Sequence, residues 1–83
     1  MSIIKFTFRG DKLFFVKNLI YLTKNTEVNQ NQLASKLGIS RQSINNMLRN
    51  KNLDPKASTL IKISKIYNIS IDDLIFKNLE NQD

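Results

Sequence analysis

Residues 41–49 read Arg-Gln-Ser-Ile-Asn-Asn-Met-Leu-Arg. Arg41, Gln42, Asn45, Asn46 and Arg49 can each present two hydrogen-bonding atoms to one flat partner. An Arg guanidinium can bond guanine O6 and N7 together, and a Gln or Asn amide can bond adenine N6 and N7. Ile44, Met47 and Leu48 follow the i, i+3, i+4 spacing of a helix with one buried face. The opposite face is then left to display Arg41, Gln42, Ser43, Asn45, Asn46 and Arg49. A helix docked in a major groove presents its N-terminal residues to the base edges. Arg41 and Gln42 therefore lead, and Asn45 and Asn46 reach adjacent pairs one turn later. A solvated polar face is the plain alternative. The concentration of such side chains beside a glycine turn favours double-stranded DNA.

Other chemistries lack their residues. With no Cys there is neither a disulfide framework nor a thiolate metal site. With no His the commonest general base and metal ligand is missing. The acids are scattered, and Asp72-Asp73 sit in a helix-start context. No enzyme activity, metal, cofactor or small-molecule substrate is expected. The net charge of +6 is unevenly placed. Residues 1–53 hold nine Lys or Arg against two acids, and residues 54–83 hold four against five. A basic front suits a polyanion. An AT-rich genome explains a share of the eleven Asn but not that asymmetry. No apolar run approaches the ~20 residues that span a bilayer. Residues 1–20 are too interrupted by Lys and Arg for a signal peptide. The expected location is cytoplasmic, with no membrane partner.

The elements that must position residues 41–49 can be read outward from them. Leu33, Ala34, Leu37 and Ile39 mark a preceding helix, with Asn29 as its cap and Val28 packing onto Leu33 or a neighbour. Gly38 can take the positive φ that turns the chain, and Ser40 can cap the next helix. Asp11 can cap a first helix running to about Lys24. Leu13, Val16, Leu19 and Ile20 face inward there, with Phe15 and Leu22 as further candidates. Asn50 tolerates the left-handed conformation that ends a helix, and a polar loop follows to Pro55. A fourth helix is predicted over 56–67, with Leu60, Ile63, Ile66 and Tyr67 inward and Asn68 ending it. Ser70 and Asp73 resemble a capping box and open a fifth helix over 71–79, with Leu74 and Ile75 inward. The fold class is all-α, with five helices.

Residues 3–9 depart from this pattern. Ile4, Phe6 and Phe8 alternate with Lys5, Thr7 and Arg9, which is the period of a half-buried strand. The strand can pair with its own copy in a homodimer, or the aromatics can dock on the helical core. The expected organisation is an N-terminal arm over 1–10, a helical domain over 11–79 and a frayed tail over 80–83. Phosphate contacts are expected from Gln30, Ser43, Asn50, Lys51 and Lys56, with plain solvent exposure the alternative for each.

Taken together, these residues resemble the phage-repressor and Cro type helix-turn-helix proteins, the xenobiotic-response-element family. The resemblance runs from about Leu19 to Ile75. It rests on Asn29-Gln30-x-x-Leu33-Ala34-x-x-Leu37-Gly38-Ile39-Ser40, on Gln42-Ser43-Ile44, and on Pro55-x-x-Ser58-Thr59-Leu60-x-x-Ile63. It closes with Tyr67-Asn68-Ile69-Ser70-Ile71-Asp72-Asp73-Leu74-Ile75. It implies a repressor-like fold that binds an operator as a dimer and controls transcription. It also implies a phosphate contact for Gln30 and base contacts for Arg41, Gln42 and Asn46. Where many members pair an Arg with a Glu, this chain aligns Thr23 with Leu48, as if packing had replaced a buried ion pair. Asn50 and Asn68 stand where glycines are common, and the arm lies outside the family pattern. The alternative function is an antitoxin or antirepressor that uses the same fold to hold a protein partner through the Ile4/Phe6/Phe8 stripe.

Overall fold

A computed structural model describes residues 13–50 and 55–81. Among the described residues, five α-helices follow one another: α1 (Leu13–Asn25), α2 (Gln30–Leu37), α3 (Arg41–Arg49), α4 (Ala57–Tyr67) and α5 (Ile71–Phe76). A 3-10 turn, Leu79–Asn81, comes after them. The expected arm and its Ile4, Phe6 and Phe8 lie outside the described residues, as do Asp11 and Lys51.

Each helix contributes at least one side chain to the centre. Phe15 and Leu19 come from α1, Leu33 from α2, Ile44 from α3, Ile63 from α4 and Leu74 from α5, all essentially without exposure. On α1, Phe15, Leu19 and Leu22 recur at i, i+4, i+7, which puts them on one stripe. Of the consecutive Phe14, Phe15 and Val16, the last two are buried and Phe14 stays partly exposed, with the Lys17 ammonium 6.0 Å from its ring. α1 packs on α5, α3 and the 3-10 turn, α2 packs on α3 and α4, and α4 packs on α5.

The helix ends follow local chemistry. Asn29 caps α2 by accepting the Gln32 N–H at 3.0 Å, and Ser70 caps α5 by accepting the Asp73 N–H at 3.0 Å. Asp72 and Asp73 in the first turn of α5 suit its positive end. Asn68 closes α4 in the left-handed conformation, φ 57°, with its N–H and that of Ile69 returning to the last turn. Thr26 takes the Leu22 carbonyl at the end of α1 through both its hydroxyl and its N–H.

Three expectations need correction. Asn50 ends α3 in an extended conformation, φ −94°, so α3 closes without a left-handed residue. Ile39 is exposed, because it lies beyond Gly38 in the turn and leaves the buried face of α2. The fifth helix stops at Phe76 rather than near 79. The reason is Asn18, buried on α1. Its amide donates to the carbonyls of Leu74 at 2.7 Å and Lys77 at 2.6 Å, and its oxygen accepts the Leu79 N–H at 3.0 Å. These bonds satisfy backbone groups that a longer helix would have paired internally. They also turn the chain so that Leu79 is buried.

Candidate nucleic-acid interface

The turn between α2 and α3 is built from backbone bonds. Gly38 sits at φ 73°, its N–H bonds Ser35 O, and the Ile39 N–H reaches Ala34 O at 3.0 Å. A Cβ at Gly38 would meet nothing within 4 Å, so glycine is favoured here by its dihedral angle and not by crowding. Ser40 then opens α3 by accepting the Ser43 N–H at 3.1 Å. The two hydroxyls lie 3.0 Å apart.

Ile44 anchors α3 in the core, and Met47 and Leu48 pack against that core from half-buried positions. Arg41, Gln42, Asn46 and Arg49 are exposed, while Ser43 and Asn45 are half-buried. Gln42, Asn46 and Arg49 are separated by four and three residues and form one outward stripe. The amide of Gln42 donates to Asn46 Oδ1 at 3.4 Å.

Arg41 behaves differently. Its Nε donates to Gln30 Oε1 at 3.2 Å, and its Nη1 donates to Asn31 Oδ1 at 2.9 Å. The structure thus brings a base-contact candidate, Arg41, together with a phosphate-contact candidate, Gln30. Asn31 completes the cluster. Sequence spacing offers no sign of this role for Asn31, because the pairing crosses ten residues and a turn. Asn50 is exposed at the end of α3, and Lys56 is exposed at the cap position of α4.

Behind this face, Tyr67 donates its hydroxyl to the Val28 carbonyl at 2.8 Å, tying the end of α4 to the loop that leads into α2. Burial pushes that hydroxyl up to about 12. Thr23 is buried on α1, and its hydroxyl donates to Ile20 O at 2.9 Å. Among the described residues, no group of three or more His, Cys, Asp or Glu side chains is placed to hold a metal ion. Nor is any described helix long and apolar enough to cross a membrane.

Comparison with known proteins agrees with this geometry. A family model described as helix-turn-helix matches residues 27–74, from the loop before α2 to the middle of α5. No curated protein and no solved structure matches the chain. The matched stretch is more than half of the sequence and contains the whole α2–turn–α3 unit, so the chain belongs to the Cro/C1-type helix-turn-helix family of DNA-binding regulators.

Proposed function

We infer that this protein is a sequence-specific double-stranded DNA-binding repressor that acts as a homodimer at an operator with two related half-sites. The observation that carries this is the division of labour on α3. Ile44, Met47 and Leu48 hold the helix down, and an uninterrupted polar stripe of Gln42, Asn46 and Arg49 faces out. The basic front supplies affinity through phosphate neutralisation, and the stripe supplies discrimination. Gln30, Ser43, Asn50, Lys51 and Lys56 are the proposed backbone contacts. Repression follows from occupancy, with no chemistry performed on the DNA, and the protein works in the cytoplasm.

Selection of bound sequences from random DNA tests this directly. The expected result is an enriched motif with two-fold symmetry, whose half-sites lie about one helical turn apart, roughly 34–36 Å. An unenriched pool would refute the reading. The dimer is assigned to the Ile4/Phe6/Phe8 arm on its alternating pattern alone. Deleting residues 1–9 should lower the sedimentation mass toward that of a monomer, and an unchanged mass would remove the arm from the interface.

A further inference from the structure

We propose that the hollow between the α1–α2 loop and the outer face of α2 binds a small zwitterion of amino-acid size, one molecule carrying both an ammonium and a carboxylate. The molecule is held there and not transformed. This goes beyond the DNA-binding reading and stands without it.

The hollow measures about 420 Å³ and is lined by Glu27, Val28, Gln32, Ser35 and Lys36. Small-molecule sites commonly measure roughly 300–1,000 Å³, so a ligand of this size has room. Glu27 and Val28 come from the loop that follows α1. Gln32, Ser35 and Lys36 lie at i, i+3 and i+4 on one face of α2, opposite the buried Leu33 and Ala34. The Tyr67 hydroxyl bonds Val28 O, and the Asn29 side chain accepts the Gln32 N–H. Those two bonds hold the loop against α2, so the two walls keep their spacing.

The chemistry of the lining selects the ligand. The Glu27 carboxylate and the Lys36 ammonium share the hollow without pairing. Among the described residues, no hydrogen bond or ion pair engages the side chains of Glu27, Gln32, Ser35 or Lys36. On the other side of the helix-turn-helix, Gln30 and Asn31 hold Arg41, and Gln42 holds Asn46. A lone anion drawn to Lys36 is repelled by Glu27, and a lone cation drawn to Glu27 is repelled by Lys36. A molecule with both charges gains at each end. Gln32 and Ser35 offer donors and acceptors to its polar groups, and half-buried Val28 gives its carbon frame an apolar wall. The charged side chains are exposed and screened, so each pairing raises affinity by up to about fivefold.

The experiment titrates pools of the common free amino acids into the full chain, with backbone amide shifts as the readout. At least one pool should move Val28, Gln32, Ser35 and Lys36 at millimolar concentration. The strongest amino acid is then compared with its methyl ester, which lacks the carboxylate, and with its N-acetyl form, which lacks the ammonium. Each should bind about fivefold more weakly than the free amino acid. Glu27→Gln should erase the difference between the free and N-acetyl forms, and Lys36→Gln should erase the difference between the free acid and the ester. Glu27 and Lys36 are exposed, so both variants should melt with the parent, which separates lost binding from misfolding. The proposal is overturned if no pool moves these amides, or if the shifts centre on other residues. It is also overturned if the ester and N-acetyl forms bind as tightly as the free amino acid, or if the two variants leave those differences intact.

Discussion

Asn18→Ala should destabilise the domain by about 3–5 kcal/mol. The side chain holds three backbone groups: the carbonyls of Leu74 and Lys77 and the amide of Leu79. The Leu74 and Leu79 bonds are buried, and a buried backbone group left unpaired costs about 1–3 kcal/mol. The Lys77 bond is only partly buried, so water can replace it and its loss costs about 0.5–1 kcal/mol. A chain of this length is stable by about 4–12 kcal/mol, so this one amide decides a large fraction of the total. Asn18→Asp is the sharper variant. It keeps the shape, removes both N–H donors and sets a carboxylate against two carbonyl oxygens. That environment favours the protonated acid and raises its folded-state pKa. With the folded value above the unfolded one, the variant is at its best below the unfolded value of about 3.9 and weakens as pH rises through its folded value. Urea unfolding between pH 3 and 7, with amide exchange at Leu79 as a local readout, measures both effects. An Asn18→Ala variant within 1 kcal/mol of the parent would refute the clamp. So would an Asn18→Asp profile parallel to the parent's.

Substitutions at three further positions probe the frame of the site. Gly38→Ala should cost about 1–2 kcal/mol, because the residue sits at φ 73° while its Cβ meets nothing. Gly38→Asn should cost less, and an urea-melt loss beyond about 3 kcal/mol would point to crowding instead. Tyr67→Phe should cost about 1 kcal/mol by removing the bond to Val28 O. The folded Tyr67 value is raised, so its contribution is complete below the unfolded value of 10 and is lost as pH rises through about 12. Alkaline melts should therefore steepen over pH 10–12 in the parent and flatten in Tyr67→Phe. Thr23→Arg should destabilise by about 2–4 kcal/mol, since it places a long cation in a buried position with Leu48 as no partner. A melting temperature that stays put would show that the side chain escapes to solvent.

The helices and their caps were legible because their signals are local. Asn29, Ser40 and Ser70 each stand directly before an apolar repeat, and each accepts the bond that the pattern implies. Asn68 and Gly38 take their left-handed roles for the same reason. What sequence spacing missed depends on contacts between elements distant in the chain. Asn18 looks like a polar interruption of α1, and only the packing of α5 shows that it faces backbone groups 56 to 61 residues away. Arg41 could be ranked first for base reading by its place on α3, but its partners on α2 come from the angle between two helices. Asn50 shows the converse, a residue that tolerates a conformation without adopting it.

Stability and the proposed recognition reside in different side chains of this fold. Removing Ile44 would open a cavity at the centre and cost about 2–5 kcal/mol. The residues of the outward stripe rest on one another and on solvent, so replacing them leaves the core untouched. Even Arg41, which links α2 to α3, does so through exposed bonds that contribute little to stability. Gln42 and Asn46, proposed to read bases, can therefore be replaced without unfolding the domain. The limit on that freedom is set further back. Gly38 and Tyr67 hold α2, and through it the angle of α3, so a change there would shift the whole exposed face of α3 at once.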